Sequence, residues 1–209
     1  MCAASHPEID QARGNLTTDN RQRRLPPPRR CPFALDTEVD PLQETARTLL
    51  RELAQPCADN QTPVTLPQPT DPISRFFSVK PPEIAASTYI DRIICYMECS
   101  SSSLICATIY CARLARKDAR LAINELNFHR VLTTAVVIAA KFFEDRWFGN
   151  SHYARVGGVS SPTALKELEL EMLLLIDFHL LVRPEVFQKY ACVKPSTSGT
   201  ATTSCPDRC

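Results

Sequence analysis

Residues 128–143 form the segment that most limits how this chain can fold. Their sequence, FHRVLTTAVVIAAKFF, is apolar on almost every side of the helix that its pattern predicts. A helix without a polar face lies in the middle of a domain. Lys141 interrupts the segment, and a lysine is rarely buried unless its ammonium is paired or reaches the surface. The segment therefore predicts a buried central helix with one charge that needs its own explanation.

Apolar residues recur at helical spacing on both sides of this central helix, and the chain has no convincing strand alternation. A short amphipathic helix is expected at Pro41–Ala54, with Asp40 as its cap. Further helices are expected at residues 82–99, 104–116, 128–145, 150–156, 162–178 and 184–191. The predicted fold class is all-α, with about five helices bundled around the central one.

Several of these helices have recognisable end signals. Serines at 100–103 and at 160–161 can cap the helices that follow them, and Asn127 can cap the central helix. Gly157 and Gly158 follow the helix at 150–156 and are typical of a C-terminal stop.

Composition divides the chain into four parts. Residues 1–38 are rich in arginine and proline, and residues 39–72 hold the short helix and a proline-rich linker. Residues 73–194 hold the helical domain, and residues 195–209 are polar. We expect both tails to be disordered, because such segments bury too little apolar surface to offset the entropy of ordering. The cluster RQRRLPPPRR at 21–30 is a nuclear localisation signal, a proline-rich docking site or part of a solvated tail.

Charge and hydropathy exclude several classes of partner. The net charge is +1, from 24 basic and 23 acidic residues, so no overall field draws the chain to nucleic acid or to a membrane surface. The longest apolar run, residues 135–140, is too short to span a bilayer. The N-terminus lacks the pattern of a signal peptide. We expect an intracellular protein, in the nucleus or the cytoplasm or both, without a nucleic-acid or membrane partner.

The ten cysteines and four histidines do not form a pattern typical of a metal site. No C-x-x-C pair is present, and the histidines are spread along the chain. Cys95 and Cys99 could share one side of a metal site, but no third ligand follows at a familiar spacing. Motifs for nucleophilic catalysis and for phosphate binding are also absent. We expect no enzymatic activity, metal, cofactor or small-molecule substrate; a small helical enzyme or metal protein is the alternative.

Two charged residues fall on apolar helix faces. Lys141 is in the central helix, and Glu169 lies inside the edge of the buried arc of the helix at 162–178. The two side chains could form a structural ion pair or extend their charged heads to the surface. They could also bind backbone groups of a partner as a pair of polar clamps. Apolar residues would then surround the clamps, namely Phe142, Phe143 and Leu173.

Four motifs occur in an order that resembles a known family. They are YIDRI at 89–93, AAKFFED at 139–145, YARVGG at 153–158 and ELE at 167–169. In this order they resemble the cyclin box, and more narrowly the single-box P/U-type cyclins related to the yeast phosphate-pathway cyclin. YARVGG is the most specific of the four. The resemblance covers roughly residues 41–190.

The resemblance implies a regulatory subunit that binds and activates a cyclin-dependent protein kinase, in cell-cycle control or in phosphate or nutrient signalling. In this family the lysine and glutamate at the positions of Lys141 and Glu169 bind backbone groups near the kinase C-helix, and Phe142 belongs to the same surface. The cyclin itself performs no chemistry. The family motifs also mark residues with a structural role, namely Arg92, Tyr153, Arg155, Gly157 and Gly158.

One position departs from the family pattern. The arginine at the position of Arg92 usually forms a buried ion pair with an aspartate, but Ala112 stands in the aspartate's place. A buried arginine without a partner is costly. Arg92 must therefore reach another acceptor, such as a helix-end carbonyl, or extend into solvent.

The resemblance also leaves open a different class of function. A cyclin-fold scaffold in transcription, of the transcription-factor-B type, would bind nucleic acid. Such a scaffold normally has two cyclin boxes and a basic face, whereas this chain has one box and a nearly neutral charge.

Overall fold

The computed structural model describes residues 40–57 and 66–193. In these ranges the chain forms seven α-helices and no strand, so the all-α prediction is confirmed. The helices are α1 (Pro41–Ala54), α2 (Ala86–Tyr96), α3 (Ser101–Lys117), α4 (Phe128–Phe143), α5 (Asn150–Gly157), α6 (Pro162–Leu175) and α7 (Pro184–Ala191). Short 3-10 turns lie at Gln55–Cys57, Pro72–Phe76 and Ala119–Leu121.

Parts of the predicted organisation lie outside the described residues. This holds for both tails, including the arginine cluster at 21–30, and for residues 58–65 of the linker. The division into four parts, with the cyclin box at 73–194, stays a prediction.

Helix α4 lies at the centre of the domain. Every residue from 131 to 140 is buried, and the helix packs against α2, α3, α5 and α6. This arrangement follows from its sequence, because a helix that is apolar all round is stabilised only when neighbours cover every side. Burial ends at Lys141, in the last turn of α4.

Three helices end earlier than predicted. Helix α4 ends at Phe143 rather than at residue 145, because the backbone of Glu144 is extended. Helix α2 ends at Tyr96, because Glu98 has a left-handed backbone with φ 51°. Helix α6 ends at Leu175 for the same reason, since Asp177 and Phe178 have φ values of 52° and 55°. Side chains beyond these points stay apolar in places, so the pattern alone extended α2 and α6 too far.

The predicted serine caps are present. Ser100 Oγ accepts a hydrogen bond from the backbone N–H of Ser103 at 3.2 Å, and Ser161 Oγ accepts one from Ala164 at 3.0 Å. Asn127 precedes α4 as predicted, but its side chain does not cap the helix. It closes the preceding loop instead, because its Oδ1 accepts from the backbone N–H of Asn124 at 2.9 Å.

Candidate partner-binding site

Three side chains from three helices form a closed ring of hydrogen bonds at one end of α4. Lys141 Nζ donates to Glu169 Oε2 at 2.6 Å and to Asn150 Oδ1 at 2.6 Å. Asn150 Nδ2 donates to Glu169 Oε1 at 2.5 Å. We call these residues the polar ring. Sequence reasoning predicted the two charged members but missed Asn150, whose only local signal is its position at the start of α5.

Each member of the polar ring comes from a different helix. Lys141 is in the last turn of α4, Asn150 is the first residue of α5, and Glu169 faces α4 from the middle of α6. The Glu169 side chain is 11 % exposed and the Lys141 side chain 31 %. A carboxylate buried to this degree needs a partner, because an unpaired buried charge costs several kcal/mol. The ion pair predicted as one alternative is therefore present.

The internal bonds leave the ring with unused hydrogen-bonding capacity. An ammonium has three N–H donors, and Lys141 uses two of them within the ring. Each Glu169 oxygen can accept about two hydrogen bonds and takes one from a ring partner. The ring can thus offer a donor and acceptors to an outside molecule without breaking its own bonds.

Exposed aromatic and aliphatic side chains surround the ring. Phe142 and Phe143 follow Lys141 directly and are 47 % and 40 % exposed. Their rings pack edge to face, with 4.9 Å between the ring centroids. Leu173 is half-buried one turn after Glu169. Further exposed apolar residues lie in the α4–α5 loop, along α6 and just after its end, and sequence reasoning missed them: Trp147, Phe148, Leu170, Leu174 and Phe178. Exposed large apolar side chains in this number are typical of proteins that bind a partner.

Helix α5, which carries Asn150, is held at its other end by α2. Arg92 Nε donates to the carbonyl of Val156 at 2.7 Å, and Arg92 Nη2 donates to the carbonyl of Arg155 at 3.0 Å. The hydroxyl of Tyr89 donates to the carbonyl of Gly157 at 2.9 Å. The last carbonyls of α5 are therefore capped by a cation and a phenol. Of the two alternatives for Arg92, the helix-end carbonyl is the one observed.

The YARVGG motif forms the end of α5. Tyr153 is buried, and its hydroxyl accepts a hydrogen bond from the backbone N–H of Phe148 at 3.1 Å. A Cβ on Gly157 would lie 2.7 Å from Oγ1 of Thr133 in α4 and closer still to its methyl group, so only glycine allows this approach. Gly158 ends the helix with a left-handed φ of 69°.

The other member of the motif, Arg155, has an exposed side chain. Its hydrogen bond to the described part of the chain is made by its backbone carbonyl, which accepts from Arg92. The structure thus places Arg155 at the capped helix end without giving its guanidinium a partner among the described residues.

A second polar contact fixes the end of α4 next to the ring. Glu144 follows α4, and its Oε1 accepts hydrogen bonds from the backbone N–H of Ser100 at 2.9 Å and from Ser103 Oγ at 2.5 Å. Partial burial opposes ionisation of this carboxyl, but the hydrogen bonds from Ser103 and Ser100 outweigh it and hold the pKa of Glu144 below its ordinary value. The carboxylate therefore binds the N-terminus of α3.

Two kinds of feature are absent from the described residues. None of the helices there combines the length and the apolar character that crossing a bilayer requires. Among the same residues, histidine, cysteine, aspartate and glutamate side chains form no cluster of three that could ligate a metal ion.

Comparison with known proteins places the chain in a family. The family model described as Cyclin matches residues 38–180. Cyclin-U3-1 of Arabidopsis thaliana is 43 % identical over 122 residues, which are 58 % of this chain and 54 % of the relative. Cyclin-P3-1 of Oryza sativa subsp. japonica is 40 % identical over 115 residues, which are 55 % and 48 % of the two chains. Cyclin-U4-3 of Arabidopsis thaliana is 37 % identical over 155 residues, or 74 % and 68 %.

The match to the first of these relatives spans about half of that protein's length, at 54 %. The family model covers most of the helical domain, since it extends from residue 38 to residue 180. The order of motifs along the chain, the all-α fold and these matches agree. The chain belongs to the cyclin family, in the group of P- and U-type cyclins.

Proposed function

We propose that this chain is the regulatory subunit of a cyclin-dependent protein kinase, which it binds and activates through the polar ring and its apolar surround. Membership of the cyclin family supports a regulatory role in general. The kinase as partner is our proposal, as is a role in cell-cycle control or in phosphate or nutrient signalling. We also propose that it acts inside the cell, in the nucleus or the cytoplasm.

One observation carries the proposal: a half-buried lysine pairs with a nearly buried glutamate, both keep unused hydrogen-bonding capacity, and exposed apolar side chains lie next to the lysine. Lys141 Nζ lies 2.6 Å from Glu169 Oε2. Phe142 and Phe143, which follow Lys141 in the chain, are exposed. Buried hydrogen bonds to backbone groups would fix the register of a partner, while the apolar area would provide affinity. This combination suits a helix and its preceding loop on a kinase.

Activation would follow from differential binding. A kinase needs its C-helix turned inward, so that the helix glutamate can pair with the lysine that positions ATP. A regulatory subunit that binds only this conformation shifts the kinase population toward it. The cyclin contributes no reacting group, and the catalytic residues belong to the kinase.

The test begins with affinity purification of the full chain from its native cell, with kinases identified by mass spectrometry. The kinase found is then expressed alone, and its affinity is measured by isothermal calorimetry. We expect Lys141→Ala and Glu169→Gln to weaken binding about tenfold to a hundredfold, because each leaves a charge without its partner at a desolvated interface.

Matched controls separate this effect from a general change of charge. Lys80→Ala and Glu171→Gln change the same residue types at sites outside the ring, and we expect them to bind like the wild type. Circular dichroism should show unchanged helix content in all four variants. Full kinase binding by both ring variants, or the failure of any cyclin-dependent kinase to bind the wild type, would overturn the proposal.

A further inference from the structure

Asn150 connects both charged residues of the polar ring. Its Oδ1 accepts from Lys141 Nζ at 2.6 Å, and its Nδ2 donates to Glu169 Oε1 at 2.5 Å. A side-chain amide is suited to this place, since it carries an acceptor and a donor on one planar group. Neither a carboxylate nor an ammonium could make both bonds.

The amide also removes freedom from two long side chains. Lysine and glutamate each lose rotamer entropy when a partner immobilises them, and this loss weakens binding when it occurs on association. With Asn150 in place, Lys141 and Glu169 are already ordered by two bonds each within the ring. The remaining donor of Lys141 and the remaining acceptors of Glu169 are therefore oriented before a partner binds.

We infer that Asn150 is a positioning residue for kinase binding, which holds Lys141 and Glu169 in the geometry that the kinase backbone meets. The inference rests on the proposed function and adds a third residue to the site. Asn150 acts through the charged pair rather than as the main contact. Its removal should leave both charges present but less ordered.

Substitution of Asn150 should leave the fold intact. Gly149 precedes it as the N-cap of α5, so the amide does not cap the helix. The other end of α5 is held by Arg92 and Tyr89, far from the substitution in sequence. Asn150→Ala is therefore expected to weaken kinase binding about tenfold, through lost pre-organisation. Ser151→Ala, at the exposed next residue, is the matched control and should bind like the wild type.

Asn150→Asp gives a readout that a purely structural role would not produce. At about pH 7.5 the introduced carboxylate can accept from Lys141 but repels Glu169. Asn150→Ala loses the same hydrogen bond to Glu169 but adds no charge. Asn150→Asp should therefore bind the kinase about threefold or more weakly than Asn150→Ala.

Other groups near the ring do not explain such a change. The charged groups that face Asn150 are Lys141 from α4 and Glu169 from α6. Tyr153 also lies in α5, and burial raises the pKa of its phenol, which keeps it uncharged near neutral pH. His152 Nε2 donates to the backbone carbonyl of Tyr96 in α2 at 2.8 Å.

A second measurement needs no kinase. In nitrogen-15 NMR spectra of the full chain, the ammonium protons of Lys141 should exchange slowly enough to be observed in the wild type and in Ser151→Ala. In Asn150→Ala their signal should broaden or disappear, because one of its two ring partners is gone. Unchanged protection in Asn150→Ala would overturn the inference.

The outcomes distinguish this inference from the proposed function. If the wild type binds a kinase and Asn150→Ala binds equally tightly, the inference falls and the proposed function stands. Equal kinase binding by Asn150→Asp and Asn150→Ala would also overturn the inference. If the wild type binds no cyclin-dependent kinase, both fall.

Discussion

Arg92 Nε lies 2.7 Å from the backbone oxygen of Val156, so a side chain of α2 caps the C-terminus of α5. The family pattern pairs this arginine with an aspartate, but Ala112 stands there in this chain. The guanidinium instead satisfies carbonyls that have no partner within their own helix. The bond connects the YIDRI and YARVGG motifs and holds the helix on which Asn150 lies.

Loss of this cap should destabilise the domain. We expect Arg92→Ala to lower the free energy of unfolding by about 1 to 2 kcal/mol, since it removes charge-assisted hydrogen bonds to two carbonyls. Arg155→Ala is the control, because that side chain is exposed, and should change stability by less than about 0.5 kcal/mol. Urea denaturation followed by circular dichroism measures both. Equal effects would show that the cap contributes nothing specific.

The close approach of α5 to α4 predicts a steric effect at Gly157. A Cβ there would overlap the side chain of Thr133, so Gly157→Ala should destabilise by about 1 to 3 kcal/mol. Adding Thr133→Ala removes the atoms that the new Cβ would overlap. The double variant should therefore lose less free energy of unfolding than the two single variants lose together. Gly149→Ala is the control, since its Cβ would meet nothing within 4 Å. Strict additivity in thermal denaturation would contradict this packing.

Glu144 should make stability depend on pH in a defined direction. Its pKa is lowered in the folded state, so its contribution is present above the ordinary carboxyl pKa and is lost as pH falls through the lowered value. Glu144→Gln should cost about 1 kcal/mol near neutral pH, and this difference from the wild type should shrink in acid. Denaturation series at several pH values, with Glu171→Gln beside them, provide the measurement. A difference that grows in acid would contradict the assignment.

Thiol reactivity should follow burial. Burial raises the pKa of Cys99 and of Cys111 to about 12, whereas Cys192 is exposed. Because the thiolate is the reactive form, iodoacetamide near pH 8 should modify Cys192 well before Cys99 or Cys111. Peptide mass spectrometry with and without urea measures the order. Early labelling of Cys111 in the folded protein would show that α3 is not packed as described.

Much of the fold could be predicted because helix formation depends on local spacing. The bounds of α1 and α7 were predicted to the residue, and the central position of α4 followed from its lack of a polar face. The ends of α2 and α6 were wrong, because left-handed residues such as Glu98 and Asp177 interrupt a pattern that is still helical in its side chains. The partners of Asn127 were also not predictable, since they lie in the loop that its own side chain closes.

The candidate site, like the fold, was predicted only in part from the sequence. The sequence by itself determined that Lys141 and Glu169 stand on apolar helix faces and that YARVGG ends a helix with two glycines. Only the tertiary structure decided that the two charges meet, that Asn150 joins them, and that Arg92 caps α5. These contacts join residues up to 64 positions apart in sequence. Periodicity describes one helix at a time, whereas hydrogen bonds between helices depend on how the helices cross.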